Sequence, residues 1–213
     1  MYTKNLFKKN YIQKKNLKNF NSKLNSKNFS IIIKKLNKDI FEKNKTINIF
    51  NKNFKLNFNI NDLKRFDKYK NIAVIGMGGS ILGLEAIELF LIKKIKKRVH
   101  FFDNIDIEKV AKFKKEQNYE KTLFLIISKS GDTIETLSNF FSLNVIKKNA
   151  KNIIIISEKK NNSLFEISKK YNFFYVEHKP YVGGRYSVLS EVGILPSILM
   201  GLNITELRQN LEK

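Results

Sequence analysis

The sequence predicts an α/β fold: a doubly wound, parallel, five-stranded sheet behind a helical N-terminal lead-in. Three observations predict it. Five short apolar runs rich in Ile, Val, Leu and Phe recur after residue 70, as buried parallel strands do. Amphipathic stretches separate them, and such alternation implies a sheet covered on both faces. Composition also shifts near residue 70, because no glycine precedes Gly76.

The lead-in is assigned to residues 1–69. Residues 1–70 carry 19 Lys and Arg against 4 Asp and Glu, and no acidic residue precedes Asp39. Residues 1–28 scatter apolar side chains without a continuous apolar core, so they do not read as a secretory signal. They read as a basic, mostly helical segment packing on a larger body. Strands are expected at 72–75, 99–102, 123–127, 153–156 and 173–176. Helices are expected at 81–92, 107–117, 133–148, 164–171 and 189–200, the last despite Pro196. No run approaches the ~20 apolar residues of a membrane helix. The expectation is a cytoplasmic protein with no membrane partner.

Composition narrows the chemistry. The chain has 213 residues, 42% of them hydrophobic, which rules out wholesale disorder. It has no cysteine and only two histidines, His100 and His178. Disulfides and thiolate nucleophiles are excluded, and neither a metal site nor a cofactor is expected. The net charge of +22 suggests nucleic acid, but only four of the 41 basic residues are arginine. Arginine is the usual reader of phosphates and guanine edges. Lys, Asn, Ile and Phe are enriched together, and all have A/T-rich codons. Most of the charge is therefore read as base composition, and no specific nucleic-acid partner is expected.

Three loops at the carboxyl ends of the expected strands carry the chemistry, and that is where an open parallel sheet binds ligands. They are residues 76–83 (Gly-Met-Gly-Gly-Ser-Ile-Leu-Gly), 128–133 (Ser-Lys-Ser-Gly-Asp-Thr) and 182–185 (Val-Gly-Gly-Arg), and they hold seven of the nine glycines. In the second, Ser128, Ser130 and Thr133 bring hydroxyls to a helix N-terminus, where an anion is favoured, and Lys129 adds charge. The alternative is a plain helix cap. The first loop fails the dinucleotide fingerprint, because Ile81 stands where a glycine is required. It reads as a close-approach turn presenting Gly79 and Ser80, or as a tight turn without a ligand. Arg185, after Gly183 and Gly184, can reach an oxyanion bidentately, or can form a surface ion pair of little energy.

Together the three segments resemble the glucose-6-phosphate isomerase (phosphoglucose isomerase) family. That family shows Gly-(Ile/Met)-Gly-Gly-Ser-x-Leu-Gly, Ser-Lys-(Ser/Thr)-x-x-Thr-x-Glu-Thr and Val-Gly-Gly-Arg-(Phe/Tyr)-Ser segments. This chain matches at 76–83, 128–136 and 182–187, in the same order. The resemblance covers about residues 70–202. It implies a sugar-isomerase (SIS-type, flavodoxin-like) domain over 70–213 that converts between glucose 6-phosphate and fructose 6-phosphate in glycolysis and gluconeogenesis.

By the same resemblance, Ser128, Lys129, Ser130 and Thr133 hold the 6-phosphate, and Gly79, Ser80 and Gly184 lie along the sugar. Arg185 stabilises the enediolate, and Glu135 partners a ring-opening histidine. Members of the family are expected to be homodimers. They are roughly twice this length or more, and their base glutamate and ring-opening histidine lie in a second sugar-isomerase domain. No counterpart is found here. His178 precedes the third motif and reads as structural or solvent-facing, and Glu191 lies on the next helix, outside the base's segment. The expectation is a fragment, truncated form or part of a split enzyme, with little activity alone. The alternative is a non-catalytic phosphosugar-binding module.

Overall fold

The computed structural model describes residues 22–209 and 211. The basic stretch 1–21 lies outside the described residues. The chain divides into two units, Met1–Asp39 and Ile40–Lys213. Helix α1 (Ser22–Phe41) runs 20 residues, mostly within the first unit.

In the second unit the sheet is parallel throughout, in the order β2-β1-β3-β4-β5. Its strands are β1 (Asn71–Gly76), β2 (Arg98–Phe102), β3 (Thr122–Ile127), β4 (Ile153–Ser157) and β5 (Phe174–Glu177). Ile72 pairs with Val99 of β2 on one side and Leu123 of β3 on the other. All residues of β3 and β4 are buried, as continuous apolar runs in a doubly covered sheet require.

The pleat sends alternate residues to two cores. Ile72, Val74, Leu123, Leu125, Ile154 and Ile156 face one core, with Leu84 of α3 (Leu82–Leu91) and Leu195 of α7 (Glu191–Leu199). Ala73, Ile75, Phe124, Ile126, Ile153 and Ile155 face the other. There they meet Phe113 of α4 (Ile107–Glu116), Phe140 of α5 (Ile134–Ser142) and Leu164 of α6 (Ser163–Tyr171). Asp106 and Asn162 cap α4 and α6 by accepting from the Lys109 and Phe165 N–H groups.

Two expectations change. The compact unit starts at Ile40, thirty residues before the boundary read from composition. Leu63 of the short α2 (Ile60–Leu63), Phe66 and Tyr69 are buried in the first core. A Lys/Asn-rich composition with singly spaced apolar residues hid that burial. The long helix expected at 133–148 ends at Ser142, because Asn144 takes a left-handed conformation with φ 53°. Among the described residues no helix is long and apolar enough to cross a membrane, and no cluster of three metal-ligating residues occurs.

Candidate functional site

From β1 the chain crosses out to β2, then returns past β1 to β3. The loops leaving β1 and β3 therefore diverge and open a crevice at the carboxyl edge. A pocket of about 460 Å³ lies there. The first loop lines it with Met77, Gly79 and Ser80, the second with Lys129, Ser130 and Thr133, and the third with Gly183, Gly184, Arg185 and Tyr186. Three segments separated by some fifty residues each thus share one cavity.

Sterics shape the second loop. Gly131 has φ +77°, and a Cβ there would stand 1.9 Å from Asn162 Oδ1, the atom that caps α6. Around this turn the hydroxyls form a triangle. Ser128 Oγ lies 2.9 Å from Thr133 Oγ1 and 3.3 Å from Ser130 Oγ, and Ser130 Oγ lies 3.3 Å from Thr133 Oγ1. Ser128 is buried and accepts from the Gly131 N–H at 3.1 Å. It backs the pocket, while Ser130 and Thr133 face it. Thr133 is the N-cap residue of α5, yet its side chain makes no capping hydrogen bond. The plain-cap alternative thus does not describe it, and its rotatable hydroxyl can donate to an anion. Glu135 sits in the first turn of α5, outside the pocket lining.

Charge enters from three elements. Lys129 Nζ donates to the Pro180 carbonyl at 2.9 Å and lies 3.5 Å from Glu158 Oε1, whose Oε2 is 2.6 Å from Lys160 Nζ. Burial pushes the Glu158 carboxyl up, but the hydrogen bond and charge of Lys160, then Lys129, outweigh it and hold the group below its ordinary value. Arg185 is exposed at the rim, and among the described residues no ion pair engages it.

The third loop is fixed against the first by backbone contact. A Cβ on Gly79 would stand 2.4 Å from the Gly184 carbonyl carbon and oxygen. Ser187 Oγ lies 2.7 Å from the Gly184 carbonyl oxygen and 3.3 Å from that of Gly79. Beneath, Glu191 Oε1 accepts from Lys179 Nζ and the Asn57 N–H, each at 2.8 Å. Glu191 is fully buried, so it anchors the loop. His178 is buried too, its Nδ1 2.9 Å from the Lys179 carbonyl oxygen, so it is structural and not solvent-facing.

The three motifs missed Glu158 and Lys160. Their one sequence signal was position, since both follow an expected strand at its carboxyl end. The buried set of Asn57, Lys179 and Glu191 had no local signal, because Asn57 and Glu191 are 134 residues apart.

This sheet order and hydroxyl-lined pocket belong to an α/β domain of the sugar-isomerase type. The phosphoglucose isomerase family model matches residues 11–211, and the chain belongs to that family. A probable glucose-6-phosphate isomerase of Methanococcus maripaludis is 40% identical over 166 residues, covering 71% of this chain and 37% of that protein. The glucose-6-phosphate isomerase of Methanocaldococcus jannaschii is 34% identical over 154 residues, covering 70% and 37%. The chain thus spans little over a third of these relatives. A glucose-6-phosphate isomerase structure from Chlamydia trachomatis aligns with TM-score 0.55 and 26% identity, over 67% of this chain and 28% of that one. A hypothetical protein of Thermus thermophilus aligns with TM-score 0.70 and 20% identity, over 87% and 48%, a likeness of fold alone.

Proposed function

We propose that residues 70–213 form the phosphosugar-binding domain of a glucose-6-phosphate isomerase, with 40–69 packed on it. One observation carries the reading: the loops at 77–80, 129–133 and 183–186 line one pocket that holds hydroxyls, ammonium groups and a guanidinium. Ser130 and Thr133 donate to the 6-phosphate, Ser128 orients them from behind, and Lys129 supplies charge. Gly79, Ser80 and Gly184 lie along the sugar.

Interconversion of aldose and ketose moves a proton between C2 and C1 through a cis-enediol. Negative charge develops on an enediolate oxygen, and the always-protonated Arg185 stabilises it electrostatically. Arginine and serine are poor bases at neutral pH. Glu158 is weakened as a base by its two lysines, and Glu191 is sealed from the pocket. The carbon-bound proton is therefore assigned to a group outside the described residues, and Glu135 is retained as the partner of a ring-opening histidine there. The same reading carries a homodimer and a cytoplasmic setting in glycolysis and gluconeogenesis, supported by family membership.

Calorimetry with fructose 6-phosphate, and fructose as control, tests it. The phosphate ester is expected to bind and the free sugar not. Thr133→Ala is expected to weaken phosphate-ester binding by about 1–2 kcal/mol, through one lost hydrogen bond to a charged group. Equal binding of the two sugars would overturn the assignment.

A further inference from the structure

The pocket has a wall that the three motifs do not supply. Glu158 and Lys160 follow β4 and line the cavity beside the hydroxyl triangle's own loop, where the Glu158 N–H donates to the Lys129 carbonyl at 3.1 Å. The Glu158 carboxylate bridges two ammonium groups, at 2.6 Å from Lys160 and 3.5 Å from Lys129. The two lysines are held differently. Lys129 is 31% exposed and also donates to the Pro180 carbonyl at 2.9 Å. Lys160 is 53% exposed; among the described residues Glu158 is its one ion-pair partner, with the Asp132 charge also attracting it.

We propose that Lys160 is a latent ligand of the phosphate and Glu158 its resting counter-ion. An arriving sugar phosphate draws the Lys160 ammonium off the carboxylate, while Lys129 stays anchored on Pro180. The inference rests on the phosphosugar reading above. A phosphate monoester near pH 7 carries about −1.5 to −2 charges against −1 on a carboxylate, so the ammonium gains attraction by moving. A flexible four-carbon stem, half in water, lets it move with little desolvation. Glu158 meanwhile keeps the charge at the pocket in the empty state. It also sets selectivity: a singly charged sugar acid does not displace an equal charge already in place, and a phosphate dianion does.

The test uses the 213-residue chain and fructose 6-phosphate in calorimetry, with circular dichroism melts to show that each variant is folded. Lys160→Met is expected to weaken binding about fivefold, the size of a partly exposed ion pair near 1 kcal/mol. Lys160→Arg retains affinity within about twofold, because the charge is kept. Glu158→Gln tightens binding about threefold, because the competing carboxylate is gone while the shape is kept. Opposite signs from the two partners are the signature that a merely structural pair does not give. Unchanged binding in Lys160→Met, or no gain in Glu158→Gln, overturns the exchange and leaves the phosphate site standing. Wild-type chain that binds fructose 6-phosphate no better than fructose overturns the phosphate reading and the exchange with it.

Discussion

Gly79→Ala tests how the site is assembled. The added Cβ would stand 2.4 Å from the carbonyl carbon and oxygen of Gly184 and 2.6 Å from the Arg185 nitrogen. Ordinary contact begins at 3.4 Å, so the first and third loops must part by about 1 Å. All three obstructing atoms are backbone, so no rotamer change relieves them. Gly79 is not among the positive-φ glycines, so the penalty is purely one of space. Overpacking of this kind costs about 1–3 kcal/mol. A displacement of about 1 Å also costs on the order of 10²-fold where several groups must converge on one ligand. Gly184→Ala is the control: its Cβ meets nothing within 4 Å, so stability should stay within about 0.5 kcal/mol of wild type. Urea denaturation compares the two variants, and calorimetry with fructose 6-phosphate reads the site in Gly79→Ala. Equal denaturation midpoints for both, with undiminished binding in Gly79→Ala, would refute the apposition of the two loops.

Two further outcomes follow from buried groups. Burial holds both histidines below their ordinary value of 6.5, against the opposing pull of the Lys179 carbonyl and Glu191 on His178. The unfolded chain then binds more protons below about pH 6.5, so stability is full above that value and is lost as pH falls towards the folded-state pKa. Melting temperature should decline over that window, and His178→Asn should flatten the slope; an unchanged slope would count against a buried neutral His178. Lys179→Met should destabilise by about 3–5 kcal/mol in urea titrations, because it strands the fully buried Glu191 carboxylate without its ion-pair partner. A loss below about 1 kcal/mol, the size of a surface pair, would show that the pair is solvated.

The sheet was legible because burial on both faces leaves a local record. Residues 123–127 are apolar without interruption, and the strand found is Thr122–Ile127, buried throughout. The loops were legible because their chemistry is contiguous in sequence. Thr133 shows the limit of that: its spacing suits a cap as well as an anion ligand, and only the structure shows that its side chain makes no capping hydrogen bond. Burial of Phe66 and Tyr69 was hidden because single apolar residues in a lysine-rich stretch have no periodicity. Glu158 was hidden because its importance depends on Lys129, which a different strand delivers.

Among the described residues, four other than glycine adopt positive φ, and every one is asparagine: Asn44, Asn144, Asn149 and Asn172. Asparagine is the side chain that tolerates this region best. Its codons are A/T-rich and those of glycine are G-rich, so drift in base composition can pass a left-handed turn from one to the other. The transfer stops where there is no room for a side chain. At Gly131 the first added carbon would already lie 1.9 Å from Asn162 Oδ1, and at Gly79 it meets backbone. Gly78 and Gly201 are left-handed with open space around them, so there the exchange is sterically free, whereas at Gly131 and Gly79 crowding alone forbids any side chain.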